Sequence, residues 1–170
     1  KDPGAMTYCG ISRKYNPGWA GWIRIDEIIA KSQAFSGAVA TASQDSTLLV
    51  LVKGFYQDNY WDSLNLTDVS DQVLATEIFD TGVNCGTGTV AEFVQEVLNV
   101  FNREAKNWPD LKVDGNMGKV TVGILNQAIH FDAGYRANIF VSLNSLQNVL
   151  YIKNPKKNPR LERFTFGLID

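Results

Sequence analysis

Apolar residues in this chain recur at helical spacing, in blocks separated by short clusters of turn-forming residues. Ile25, Ile28 and Ile29 mark one face of a short helix. Breaker clusters at Ser36-Gly37 and Ser43-Gln44-Asp45-Ser46 bracket an alanine-rich piece. On pattern alone the run at 48–52 fits a buried strand or a buried helix. Its continuation through Phe55, Tyr56 and Tyr60-Trp61 is too long for a typical strand, so a helix is expected. Asp68 and Ser70 are candidate N-caps for a helix carrying Val69, Val73, Leu74, Ile78, Phe79 and Val83, which ends near Asn84-Cys85-Gly86. Val90, Phe93, Val94, Val97, Leu98 and Phe101 form the cleanest amphipathic stripe. A loop over 106–118, built on Trp108-Pro109 and Asp114-Gly115, precedes helices expected over 119–130 and 133–152. The proline-broken basic run at 153–160 reads as a loop, and 161–169 as the start of a final helix. The expected fold class is mainly α.

Ahead of the first helical period stands Asp2-Pro3-Gly4-Ala5-Met6-Thr7-Tyr8-Cys9-Gly10-Ile11-Ser12, crowded with polar and turn residues. Pro3-Gly4 sets a tight turn, and Gly10 lets backbone approach another group closely. Two readings stand side by side. Asp2 and Thr7 either make local side chain–backbone turn bonds, or supply a carboxylate and a hydroxyl that orient water or sugar.

At 170 residues the chain is long enough for one domain that buries roughly 70% of its unfolded surface. The formal net charge of −2 gives no whole-chain reason to expect nucleic acid or a membrane surface. The basic run at 153–160 is a local exception that reads as a solvated loop, with contact to an anionic polymer as the other reading. No apolar run reaches transmembrane length. No signal-peptide pattern opens the sequence, and because it begins Lys1-Asp2-Pro3 without a methionine, an N-terminus further upstream is expected. Cys9 and Cys85 cannot build a disulfide framework; free thiols are expected, a single bridge being the alternative. One histidine, His130, argues against a His-based metal site or a Ser-His-Asp machine, and its apolar period points to a packed or helix-capping role.

The chemistry-bearing stretches are few. Asp110-Leu111-Lys112-Val113-Asp114-Gly115 resembles a calcium loop, but Lys112 at its third position and Thr121 at its twelfth exclude the bidentate ligand set. No phosphate loop, dinucleotide fingerprint or Cys-x-x-Cys is present, so no cofactor and no metal are expected. Asp80 and Asn84 lie four apart and share a helix face, where they either line a groove or pair locally. Tyr15, Trp19, Trp22, Tyr60 and Trp61 stand near polar breaks. Aromatics are mostly core, so one or two of the five are expected as sugar platforms.

Taken in order, these stretches are similar to the glycoside hydrolase family 108 N-acetylmuramidases. That family comprises phage- and bacterium-encoded, lysozyme-like peptidoglycan hydrolases whose members also carry the label secretion activator protein. The stretch 2–12 resembles the family's Asp-Pro-Gly-Gly-x-Thr-x-x-Gly-Ile-Thr, with Ala5 for the second glycine and Ser12 for the last threonine. Tyr60-Trp61 resembles its Tyr-Trp, and Phe79-Asp80-Thr81-Gly82-Val83-Asn84-Cys85-Gly86 its Phe-Asp-x-x-Val-Asn-x-Gly. Asp114-Gly115 through Thr121 resembles an Asp-Gly-x-x-Gly-x-x-Thr found in peptidoglycan-binding modules, and Phe164 to Gly167 the approach to a closing Gly-Trp motif.

The resemblance implies a single compact lysozyme-like unit over 1–170 with a long N-terminal active-site loop. In it, 1–86 is the catalytic segment and 87–170 a helical segment resembling a peptidoglycan-binding module. It implies Asp2 and Thr7 as catalytic residues, with Tyr8, Tyr60, Trp61, Asp80 and Asn84 on the substrate. The family's acid, the Glu of its Glu-Gly-Gly-Tyr, falls upstream of Lys1 and outside this sequence. The implied partner is the peptidoglycan glycan strand, and the implied place of action the cell envelope, without stable membrane insertion. The alternatives are a non-catalytic peptidoglycan-binding protein and a regulatory protein of secretion.

Overall fold

The computed structural model describes residues 6–157. Asp2 and the helix expected over 161–169 lie outside the described residues. Among the described residues there are seven α-helices and one small hairpin, so the fold is mainly α and lysozyme-like, as expected. The chain divides into two compact units, one ending at Asn59 and one beginning at Tyr60. That division falls inside the segment read from sequence as 1–86.

In the N-terminal unit, strands β1 (Thr7–Tyr8) and β2 (Ile11–Ser12) pair antiparallel, Thr7 opposite Ser12 and Tyr8 opposite Ile11. Helices α1 (Gly21–Lys31), α2 (Phe35–Gln44) and α3 (Ser46–Tyr56) follow. Ile11, Trp22, Ile25, Ile28, Ala38, Ala42 and Leu48 form one core. The α1 face read from Ile25 and Ile28 is therefore the buried one, and the run at 48–52 is helical as expected but not buried throughout, since Leu48 faces the core while Leu49 and Val50 are exposed. Ser36-Gly37 does not break the chain as expected but lies in the first turn of α2. The first N–H groups of a helix have no intrahelical partner, so Ser and Gly cost little there. Ala38 and Ala42, four apart, give that helix its buried stripe. The next cluster does end the helix. Asp45 caps α3 by accepting from the Leu48 N–H at 2.9 Å, and Arg24 of α1 reaches the same carboxylate at 2.7 Å.

A π-helical turn (Gln57–Trp61) carries the chain across the division, and in the second unit a 3-10 turn (Leu66–Asp68) leads to α4 (Gln72–Cys85), α5 (Thr87–Phe101), α6 (Lys119–Phe131) and α7 (Ala133–Lys157). Leu74, Ile78, Val90, Val94, Leu98, Leu125, Ile139 and Leu143 lie at the centre of its core. The cap of α4 is neither Asp68 nor Ser70 but Asp71, whose carboxylate accepts from the Leu74 N–H at 2.9 Å. The Ser70 N–H is already taken by Asn126 at 2.8 Å, and Asp68 closes the 3-10 turn. Gly86, at φ 98°, ends α4 and admits α5 one residue later.

The loop before α6 is held by a buried side chain. The Gln95 carbonyl accepts from the Asp114 and Gly115 N–H groups, and its amide donates to Asp114 and to the Asn116 carbonyl, all within 3.1 Å. The basic run at 153–160 is not a loop from its start, because α7 continues through Lys157. Pro155 removes one helical N–H, a local loss that the long helix tolerates. His130 is not packed: it stands exposed in the last turn of α6, where an imidazolium would complement the helix dipole.

Candidate functional site

Thr7 owes its position to the turn beside it. Cys9 and Gly10 take φ of 46° and 79°, the left-handed pair of a tight two-residue hairpin turn. The hairpin is then fastened from several sides. The Tyr8 hydroxyl donates to the Ala42 carbonyl at 2.8 Å, and the Tyr56 hydroxyl donates to the Cys9 carbonyl at 2.8 Å. The Arg13 N–H closes on the Met6 carbonyl at 2.9 Å, and Ile11 is buried in the core. Thr7 itself is exposed, and lines a small apolar hollow of about 180 Å³ with Met6, Ile28, Phe35 and Val39. Tyr8, expected on the substrate, acts as the anchor of the hairpin, its ring stacked on Trp19 at 6.3 Å. Burial, then the neighbouring Cys9, holds its phenol above the ordinary tyrosine range.

The same unit carries a wider cleft of about 620 Å³, lined among others by Asn16, Trp19, Val50, Phe55, Asp58 and Asn59. Of the aromatics read as platforms in this unit, Trp19 lines the cleft, whereas Trp22 is buried and Tyr15 lies exposed. Phe55, Asp58 and Asn59 were not singled out from sequence. Their signal was an aromatic and two polar residues spaced three and four apart at the end of a helix.

Tyr60, Trp61, Asp80 and Asn84 belong to the second unit. Tyr60 and Trp61 both pack on Phe79, at 6.4 and 5.8 Å between ring centres, and the Trp61 indole donates to the Thr67 hydroxyl at 2.9 Å. Asp80 and Asn84 are exposed and do meet, the Asn84 amide donating to Asp80 at 3.1 Å. Gln147 of α7 donates to the same carboxylate oxygen at 3.3 Å. This α4–α7 seam also contains Glu77, which accepts from Thr81 at 3.4 Å. Burial, with Asp80 adding to it, lifts the Glu77 carboxyl above the ordinary range, against hydrogen bonds from Asn144 and Thr81. The Tyr151 hydroxyl is buried and without a hydrogen-bond partner. Burial first, then the charges of Cys85 and Asp80, push it up to about 12, with the neighbouring Asn84 side chain opposing though not in hydrogen-bond geometry. Both cysteines are free thiols, Cys9 exposed and Cys85 half-buried. No group of three or more His, Cys, Asp or Glu among the described residues can hold a metal ion.

The described residues thus form a helical protein with a small N-terminal hairpin that presents a hydroxyl, and with clefts lined by aromatic and acidic side chains. The family model of Glycosyl hydrolase 108 matches residues 1–86, and the chain belongs to that family. No curated protein matches the chain. Membership makes the chain a glycoside hydrolase of the peptidoglycan-hydrolase type, which acts outside the cytoplasm. No helix among the described residues is long and apolar enough to cross a membrane.

Proposed function

We propose that the chain is an N-acetylmuramidase that cleaves the β-1,4 bond between N-acetylmuramic acid and N-acetylglucosamine. Glycoside hydrolysis needs a protonated carboxyl at the leaving oxygen and a second group on the opposite sugar face. In this reading the acid is the Glu that the family resemblance implies ahead of Asp2. Asp2 is the second carboxylate, and Thr7 holds the attacking water. Tyr60, Trp61, Asp80 and Asn84 hold sugar, and Tyr8 supports the strand beside Thr7.

The observation that carries the reading is Thr7: an exposed hydroxyl on a hairpin whose other residues are bonded or packed on their own unit. A threonine hydroxyl gives one proton and accepts two, which suits a water held against a carboxylate. Its freedom is small because the tight turn and the two tyrosine bonds fix the backbone, and a group held in place before reaction lowers the entropic part of the barrier.

An attacking water calls for carboxyls about 6.5–9.5 Å apart and for inversion at the anomeric carbon. Zymography of the whole protein on cell walls is expected to give a cleared band. Reducing-end analysis should find muramic acid, and NMR of the first product the α-anomer. No cleared band, or glucosamine at the new reducing ends, would refute the muramidase reading; a β-anomer would refute the water-held mechanism alone.

A further inference from the structure

Helix α7, the longest among the described residues, has apolar side chains on two faces, and the described residues cover only one of them. Ile139, Leu143 and Tyr151 are buried, with Phe140 and Leu146 packed beside the core. On the opposite side Val141, Val149 and Ile152 are 61%, 42% and 51% exposed. Together with Asn138 and Ser145, also exposed, they form one stripe, since residues spaced three and four apart share a helix face.

A helix face left to water ordinarily carries charged side chains. Helix α1 exposes Asp26, Glu27 and Lys31, and α5 exposes Glu92 and Glu96. The stripe on α7 has none, because no charged residue occurs between Arg136 and Lys153.

The stripe is also symmetric along the chain. Counted from Ser145, Val141 and Val149 stand four residues away on either side, and Asn138 and Ile152 seven. A two-fold contact uses the same patch on both copies, so a residue before the axis meets one after it. With the axis at Ser145 and the helices antiparallel, Val141 of each copy lies beside Val149 of the other. Asn138 then lies beside Ile152 at each end of the contact, where its amide keeps its water. Ser145 is small enough for the helices to approach closely. Its hydroxyl already donates to the Val141 carbonyl of its own helix at 2.7 Å, so covering it leaves no donor unmade. Because the stripe is uncharged, the contact brings no like charges together.

We propose that this face of α7 is a self-association surface, occupied by a second copy of this chain in an antiparallel, two-fold arrangement. From Asn138 to Ile152 the stripe runs about 21 Å at 1.5 Å per residue. One helix-to-helix contact of that length falls short of the roughly 800 Å² per partner of a standard stable interface. The dimer is therefore reversible, half formed near about 100 μM. The inference does not depend on the bond that the enzyme cleaves.

The test is sedimentation velocity of the whole 170-residue chain from about 10 to about 500 μM. The sedimentation coefficient of the parent is expected to rise with concentration, and that of Ser145→Ala to rise with it. Ser145→Glu and Ser145→Lys each set like charges against one another on the axis, and each is expected to weaken the dimer about tenfold or more. An equimolar mixture of the two is expected to recover it, because only a residue on the axis meets its own counterpart. The position is exposed, so the thermal midpoints should stay with that of the parent. A parent that is monomeric throughout overturns the proposal, and leaves the face to another protein or to residues 158–170. A dimer that Ser145→Glu leaves intact, or a mixture that sediments as monomer, overturns it as well.

Discussion

Gly10 shows how one residue carries the candidate site. Its φ of 79° is a left-handed conformation, and a Cβ built there would lie 2.6 Å from the Tyr56 hydroxyl oxygen that fastens the turn. Gly10→Ala is therefore expected to cost about 1–2 kcal/mol and to lower wall-clearing activity as the strand bearing Thr7 shifts. Chemical denaturation and turbidity assays would check both. Tyr151 is the opposite case, a buried hydroxyl with no partner. An unmade hydrogen bond leaves the full desolvation cost in place, so Tyr151→Phe is expected to be neutral or to stabilise by up to about 1 kcal/mol. A thermal midpoint several degrees lower would instead require a partner for that oxygen.

At the scale of the element, α4 depends on Asp71. That carboxylate caps the helix through the Leu74 N–H and pairs with the Arg136 guanidinium of α7. The bond from Arg136 leads in holding its pKa below the ordinary carboxylate range, with the cap bond contributing. A carboxyl depressed in the folded state stabilises fully above its unfolded value, near 3.9, and that contribution is lost as pH falls through the lower folded value. Asp71→Ala is expected to cost about 1–2 kcal/mol near neutrality, most of it from the cap, since Arg136 is partly exposed. The gap between parent and variant should close as the pH is taken below about 4, measured by urea denaturation across that range. Asp71 is also where local reading fell short. Asp68, Ser70 and Asp71 are all good cap types within four residues. Only the path of the chain, with a 3-10 turn closing on Asp68 and Asn126 taking the Ser70 N–H, selects the third.

For the whole molecule the prediction is a split between activity and stability. Thr7 is exposed and makes none of the bonds that fasten its hairpin. Thr7→Ala is expected to lower turnover about a hundredfold, the low end for a lost group that positions a proton transfer. Its thermal midpoint should stay within a degree or two, because surface substitutions of this kind change stability little. Equal turnover at an equal midpoint would remove Thr7 from the site.

Helical periodicity was readable from the chain because burying one face of a helix demands apolar residues at 3.6-residue spacing, and that demand is local. Hence α1 and α5 follow their stripes, α6 lies where its period placed it, and Gly86 ends α4 where its composition suggested. Ser36-Gly37 and Pro155 were misread because a breaker's effect depends on which turn of a helix it occupies. The substrate residues divide the same way. Asp80 and Asn84 meet as their four-residue spacing implies. The partner of that pair, Gln147, lies far away in sequence and reaches it only because α7 packs on α4. A cleft that joins Phe101 and Arg103 to Tyr135 and Asn138 has the same origin. By itself the sequence determined that the chain is helical, that its hairpin carries a threonine beside a glycine turn, and which family it resembles. Which polar groups face one another, and which are left unpaired, was decided by tertiary packing, since hydrogen bonding across elements has no period along the chain.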